Sequence, residues 1–251
     1  MLIYRNQIFN YMAYREGIDF GSCTDTGCAA CLNDSPRGIF CTLPKEELKH
    51  LMEERQCIRF NPGETILKQN TSATHVVCMR KGLAKVYIEG MNGKRLILKI
   101  IGELDFITGG GIFVNNTRHF TVTAITEVEC CFIDSEKILR LFENNSNFAI
   151  ELMKHHNRQN NELLNSLVNL TQKYMHGRVA DTLLYFKNEI FKCNPFNLPV
   201  SRQELADMSA MAKESYVRIL KEFKTSGIIR PNGSTMEILD EDALVAISKN
   251  G

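Results

Sequence analysis

The chain has no apolar run approaching the roughly 20 residues needed to span a bilayer. Its opening stretch, MLIYRNQIFNYMAYREGIDF, carries charges throughout and lacks the apolar centre of a signal peptide. Both absences place the expected site of action in the cytoplasm, away from any membrane. A strong charge of either sign is also missing. The 30 Lys and Arg residues against 29 Asp and Glu leave +1, which excludes a general polycation that coats nucleic acid. Low-complexity runs and internal repeats are absent, so tails and solenoids are excluded. What remains is a globular composition, 44% hydrophobic and 24% charged, and 251 residues, enough for two domains. Cysteine breaks the pattern. Nine is an odd and high count for a compartment that disfavours structural disulfides, so their placement calls for a motif reading.

The most patterned stretch runs from Ser201 to Arg218, SRQELADMSAMAKESYVR. Ser201 and Glu204 have capping-box spacing, in which the Ser hydroxyl accepts the N–H three residues on and the Glu reaches back. This predicts a short helix to about Met208, a tight turn at Ser209 and Ala210, and a second helix through Lys224. Tyr216, Ile219, Leu220 and Phe223 fall at i, i+3, i+4 and i+7, one apolar stripe that packs inward. Glu214, Arg218 and Lys221 lie on the other side, with Val217 between them. Such a face suits a DNA major groove. Arg binds guanine O6 and N7 together, Glu accepts from cytosine N4, and an apolar side chain touches a thymine methyl. A solvated amphipathic pair would show the same residues. The downstream sequence separates the two readings, because strand-like runs from Ile228 to Leu239 flank Asn232-Gly233, a strong hairpin signal. Helix, turn, helix and hairpin make a winged helix-turn-helix. From Ser201 to Gly233 six basic residues face four acidic ones, a modest patch that fits a dimeric reader of bases.

At the other end, Cys23, Cys28, Cys31 and Cys41 form a C-x4-C-x2-C-x9-C run made loop-like by Gly21, Gly27, Pro36 and Gly38. Thiolates gather round one point only where closely spaced Cys sit on pliant backbone. C-x4-C-x2-C is the plant-type ferredoxin spacing. Zinc held by four thiolates and unbound cytosolic thiols are the competing readings. Between the two ends, β-rich runs at 76–79, 83–88, 96–101, 120–124 and 128–133 alternate with turn signals at Pro62-Gly63, Lys81-Gly82 and Asn92-Gly93. These predict a small antiparallel barrel or roll. Gly109-Gly110-Gly111 lacks the Lys-Ser/Thr helix of a phosphate loop and reads as a turn. From Asn147 the period becomes helical. Leu163, Leu167, Leu170 and Tyr174 step as coiled-coil a and d positions, and Ala149, Leu152, Met153 and His156 extend the seam backward. A helix this long and one-sided calls for a second copy of itself. His155 and His156 point to different faces and read as structural.

A roll, a long dimer helix and a winged helix-turn-helix, in that order, resemble the cyclic-AMP receptor protein/FNR superfamily of bacterial transcription regulators. The resemblance is carried by Phe60-Asn61-Pro62-Gly63-Glu64, by Gly177-Arg178-Val179-Ala180 and by SRQELADMSAMAKESYVRILKEFKTSGII. It implies an α+β fold: a cysteine-rich segment 1–42, a jelly-roll-like antiparallel β-roll 43–145, a dimerisation helix 146–175 and a winged helix-turn-helix 176–251. It further implies base contacts from Lys213, Glu214 and Arg218, beside Val217, and phosphate contacts from Arg202 and Ser215. Two positions depart from the family: Ala210 stands where Gly is usual, and Ala212 stands at the expected N-cap, a loss of about 1 kcal/mol.

The family divides on what its roll senses. Relative to cyclic-AMP binders, Gly102-Glu103-Leu104 lies before Asp105-Phe106-Ile107 instead of after it. Gly109 replaces the cassette's Glu, His119 replaces its Ser, Leu163-Leu164 replace the hydroxyl pair, and Arg118 alone survives. This argues against cyclic AMP. The FNR branch holds an oxygen-labile [4Fe-4S] cluster by N-terminal cysteines plus one from the roll. Here Cys28 and Cys31 match its C-x2-C, Cys131 matches its roll ligand, and Cys23 or Cys41 must complete the set. The expected protein is a homodimeric regulator, not an enzyme, since no nucleophile–base pair is evident. It would bind a palindromic double-stranded operator, work with RNA polymerase, and be switched by oxygen or nitric oxide through the cluster. The alternative is the same reader governed by a small molecule or haem in the roll, its cysteines zinc-bound or unligated.

Overall fold

The computed structural model describes residues 39–53 and 55–251. Helix α1 (Lys45–Glu53) comes first and buries Leu48 and Leu51. The strands of the roll follow: β1 (Gln56–Phe60), β2 (Thr65–Leu67), β3 (His75–Lys81), β4 (Ala84–Glu89), β5 (Arg95–Ile101), β6 (Phe106–Ile107), β7 (Thr121–Ala124) and β8 (Val128–Asp134). They pair antiparallel into two four-stranded sheets, β1-β8-β3-β6 and β2-β7-β4-β5. Val77, Met79 and Val128 of one sheet meet Val86, Ile101 and Val122 of the other in a shared apolar interior. Alternation along each strand puts every second side chain there.

The β-rich runs of the sequence predict five of the strands and pass over β1, β2 and β6. Two of these span only three and two residues, too short to show alternation. The third, β1 (QCIRF), is exposed at four of its five positions, so no inward apolar row marks it. The turn at Lys81-Gly82 is as expected. Gly82 has φ +84°, and a Cβ there would fall 2.0 Å from the Glu127 carbonyl oxygen, so only glycine fits. The Gly109-Gly110-Gly111 segment forms the turn after β6.

Helix α2 (Ser135–Asn144) is capped by Asp134, which accepts from Glu136 N at 2.8 Å. Helix α3 (Ser146–Gln172) is capped by Asn145, which accepts from Phe148 N at 3.1 Å. Each cap satisfies an N–H that the helix itself leaves unpaired. At 27 residues α3 reaches about 40 Å. The backward extension of its seam needs correcting at Leu152. That side chain is fully buried with Phe148 against Phe40, Phe106 and Ile133, inside this chain's own core. Phe40 stacks on Phe148 at 5.7 Å and meets Phe106 edge-on at 5.4 Å. The apolar positions left in water are Ile150, Met153, Leu163, Leu164, Leu167 and Val168, a stripe rotated away from the roll.

His155 lies on the roll side of α3, with Nε2 3.2 Å from the Phe106 carbonyl oxygen. Burial holds its imidazole down to about 4, and the neighbouring Lys99, His156 and Arg158 add to the effect. An unfolded imidazole titrates near ~6.5, so acid charges the unfolded chain first. Stability is therefore full above that value and falls as pH drops towards about 4, by up to about 3 kcal/mol. Urea midpoints should decline across this window, and His155→Gln should flatten the decline.

The C-terminal domain holds α4 (Met175–Tyr185), β9 (Phe196–Asn197), α5 (Arg202–Met208), α6 (Lys213–Thr225), β10 (Ile229–Asn232), β11 (Thr235–Ile238) and α7 (Glu241–Asn250). Its small sheet has the order β10-β11-β9. The core of this domain is continuous with the roll. Tyr87, Ile97 and Ile100 pack with Val179, Leu183, Phe186 and Leu205. The Tyr185 hydroxyl donates to Ile100 O at 3.1 Å and accepts from Ile100 N at 3.0 Å, while Lys85 pairs with Glu204 at the start of α5.

Candidate nucleic-acid interface

Helix α5 begins at the expected capping box. Ser201 Oγ accepts from Glu204 N at 3.2 Å, and Glu204 Oε2 accepts from Ser201 N at 2.6 Å. Burial alone would push the Glu204 carboxyl up. The hydrogen bonds from Lys85 and Ser201 outweigh it and hold the group below its ordinary value. The same side chain thus caps the first helix of the helix-turn-helix and ties that helix to the roll.

The turn between α5 and α6 spans Ser209 to Ala212. Ser209 is buried, donating to Leu205 O at 3.0 Å and lying 2.8 Å from Thr182 Oγ1. Ala210 takes φ +49°, the left-handed conformation for which Gly is preferred. Ala212 is the N-cap of α6 and makes no side-chain cap bond. Amides in the first turn of a helix with no capping side chain suit a phosphate oxygen. Tyr216, Ile219, Leu220 and Phe223 are buried, as their spacing requires. The Tyr216 hydroxyl is enclosed without a hydrogen-bond partner among the described residues, and burial pushes its phenol far above the ordinary range.

The opposite face of α6 exposes Lys213, Glu214, Val217, Arg218 and Lys221, which line one shallow depression together. Ser215 and Arg202 are half-buried. A second depression, lined by Arg218, Lys221, Glu222, Thr225 and Ser226, continues along the helix. The structure therefore brings together every residue expected to touch bases. It adds a contact that the sequence reading missed. Arg218 Nη1 donates to Glu222 Oε1 at 2.8 Å, and Glu222 Oε2 lies 2.7 Å from His176 Nε2. The i, i+4 spacing of Arg218 and Glu222 was a readable signal. His176, on α4, lies far away in sequence and gave none. The His176 and Arg218 contacts hold the Glu222 carboxyl below its ordinary value. The wing is β10–β11, with Arg230 paired to Glu237 at 2.8 Å. Its turn sits one residue later than expected, at Gly233-Ser234, because Asn232 pairs with Thr235. Of these turn residues only Gly233 has positive φ, the requirement at the first position of a type II′ turn.

Among the expected metal ligands, Cys23, Cys28 and Cys31 lie outside the described residues. Cys41 is exposed and Cys131 is buried in β8. Strand register places Cys131 between two more cysteines, with Cys57 of β1 as its Cα partner on one side and Cys78 of β3 on the other. Cys57 had no place in the sequence reading because β1 did not register as a strand. Among the described residues no three His, Cys, Asp or Glu side chains converge as ligands of one metal ion.

Arg118, the survivor of the nucleotide cassette, is buried against the roll's own backbone. Its Nη1 donates to Ser72 O and, at 3.1 Å, to Thr71 Oγ1. Gly109 leaves room for it, since a Cβ at that position would come within 3.2 Å of the Arg118 side chain. Nε has no partner among the described residues.

Comparison with known proteins matches both halves of the chain. The family described as cyclic nucleotide-binding domain matches residues 57–145, and the family described as Crp-like helix-turn-helix domain matches residues 177–247. The cAMP-activated global transcriptional regulator CRP of Salmonella typhimurium is 26% identical over 184 residues, covering 72% of this chain and 88% of the relative. The transcriptional activator protein FnrA of Stutzerimonas stutzeri is 24% identical over 192 residues, covering 74% and 78%. Among solved structures, a putative transcriptional regulator of the crp/fnr family from Eubacterium rectale superposes with TM-score 0.72 at 17% identity, covering 84% of this chain and 98% of that one. FixK2 from Bradyrhizobium japonicum superposes with TM-score 0.70 at 18% identity, covering 77% and 96%.

Proposed function

This chain belongs to the CRP/FNR superfamily of DNA-binding transcription regulators, and we propose that it acts as a homodimer on a palindromic operator under the control of a thiol-held iron–sulfur cluster. The observation that carries the DNA-reading half is the exposed row Lys213, Glu214, Val217, Arg218 and Lys221 above a fully buried apolar stripe. Two such helices must present themselves about 34 Å apart to enter successive major grooves. The exposed apolar stripe of α3 supports pairing with a second copy, and the DNA-bound dimer would present its remaining surface to RNA polymerase.

The switching half is supported by the chemistry of the donors. The roll offers thiols, the ligand type that iron–sulfur clusters take. Cys131, with Cys28, Cys31 and Cys23 or Cys41, would hold the group. A bound [4Fe-4S] cluster supplies a centre that oxygen or nitric oxide destroys. The chain's own residues give the roll a path to the reader. Lys85 holds Glu204 at the cap of α5, and Tyr185 is bonded to both backbone groups of Ile100 in β5. A roll that moves relative to α3 therefore shifts the population of reader orientations. Anaerobic purification should yield a coloured protein with equal iron and acid-labile sulfide, and exposure to air should lower its operator affinity. A colourless protein holding zinc, or no metal, would sink the cluster reading and leave the DNA reader standing.

One observation favours a second reading, a small anionic ligand in the roll. The buried Arg118 Nε has no partner among the described residues. Operator binding that responds to such a ligand and loses the response in Arg118→Gln would support it.

A further inference from the structure

We propose that Cys57 and Cys131 are a thiol pair that hydroperoxides oxidise to a disulfide between β1 and β8, a modification site within the roll. The two Cα positions are direct partners in the antiparallel ladder, so both side chains leave the same face of the sheet. Their sulfurs already lie 2.8 Å apart. Joining sulfurs placed like this takes side-chain rotation and no shift of strand register. Their exposures divide the labour. Cys57 sits on an edge strand and is open to solvent, while Cys131 is 1% exposed. The open thiol meets the oxidant, and the enclosed one resolves the product. The neighbouring Cys130 points to the other side of β8, where its thiol packs in the interior between the sheets.

The chemistry balances with a hydroperoxide as the oxidant. The Cys57 thiolate attacks the outer peroxide oxygen. An S–O bond forms, the O–O bond breaks, and the departing alkoxide takes up the Cys57 proton and leaves as alcohol. The Cys131 sulfur then attacks the Cys57 sulfenic sulfur. An S–S bond forms, the S–O bond breaks, and hydroxide leaves with the Cys131 proton as water. Two thiols lose two electrons and two protons, and the peroxide becomes alcohol and water. With hydrogen peroxide both oxygen products are water.

The pair exists in the chain whether or not a cluster is ever assembled, so this inference does not rest on that reading. The two meet at Cys131, since a sulfur held in a disulfide is withdrawn from metal ligation. The test uses the full-length protein, purified in air, reduced, freed of reductant, and assayed for iron and sulfide so that the cluster question is scored separately. Treatment with stoichiometric hydrogen peroxide, alkylation and non-reducing peptide mapping should show a Cys57–Cys131 linked peptide two hydrogens lighter than its parts. The link should persist in Cys78→Ser and Cys130→Ser and vanish in Cys57→Ser and Cys131→Ser. Cys57→Ser alters an exposed position, so its folding can be checked by circular dichroism independently of the core variant. Cys57 recovered as sulfinic acid, or linked to a different cysteine while Cys131 still accepts the alkylating agent, would overturn the proposal.

Discussion

Replacing Arg218 with Ala should weaken binding to the operator by roughly 30-fold to 20,000-fold while leaving the melting temperature unchanged. A bidentate guanine contact discriminates by about 1–3 kcal/mol, and a dimer loses it at both half-sites, which gives about 2–6 kcal/mol. The side chain is more than half exposed, so its removal opens no cavity. Its bond to Glu222 is an exposed i, i+4 ion pair, a class of contact too weak to hold the guanidinium back from a base. Glu222 therefore orients Arg218 in the absence of DNA without anchoring it. Lys221→Ala gives the contrast. A side chain of that type neutralises phosphate, so its loss should lower affinity across all sequences and reduce the salt dependence by about one charge per half-site. Gel shifts with cognate and mismatched operators at two salt concentrations separate the two effects. An Arg218→Ala protein that binds the operator as tightly as its parent would remove α6 as the reading element.

The reading helix was legible because two periodicities coincide on it. The stripe of Tyr216, Ile219, Leu220 and Phe223 had to be buried, which left Glu214, Val217, Arg218 and Lys221 facing water, and each sits where its spacing placed it. The capping box at Ser201 was equally local and is present with both bonds. Contacts that depend on distant segments stayed hidden. His176 reaches Glu222 across 46 positions, and Lys85 reaches Glu204 across 119. No window of sequence relates such pairs. The roll shows the same divide. Strands with an inward apolar row declared themselves, while β1 did not, and with it went the placement of Cys57 beside Cys131. The backward extension of the α3 seam failed at Leu152 for another reason. A helix that packs one face of its first turns on its own roll and leaves another apolar face in water carries two stripes at different angles. A single heptad reading merged them, assigning Leu152 to a partner when it belongs to this chain's core.

That separation makes the second large effect specific. Replacing Leu163 and Leu167 together with Glu should produce a folded monomer that no longer holds a palindromic operator. These side chains are 50% and 57% exposed in the single chain, so the substitution removes nothing from its core. In a dimer the exposed halves are covered. Burial of a Leu side chain is worth about 1.5–3 kcal/mol when complete, so four half-covered ones contribute about 3–6 kcal/mol, before the cost of enclosing new charges. The dimer should weaken by at least 100-fold on this account. Sedimentation should find one protomer where the parent gives two, with unchanged circular dichroism. Operator affinity should fall with it, because a lone reader gains only one half-site's contacts. Leu152→Glu is the control from the other stripe. It places a charge in the enclosed cluster with Phe40, Phe106 and Phe148 and should unfold the junction of roll and helix instead of merely separating two copies. If the Leu163 and Leu167 double variant stays dimeric, the exposed stripe is not the interface, and the spacing of the two reading helices has to be set by another surface.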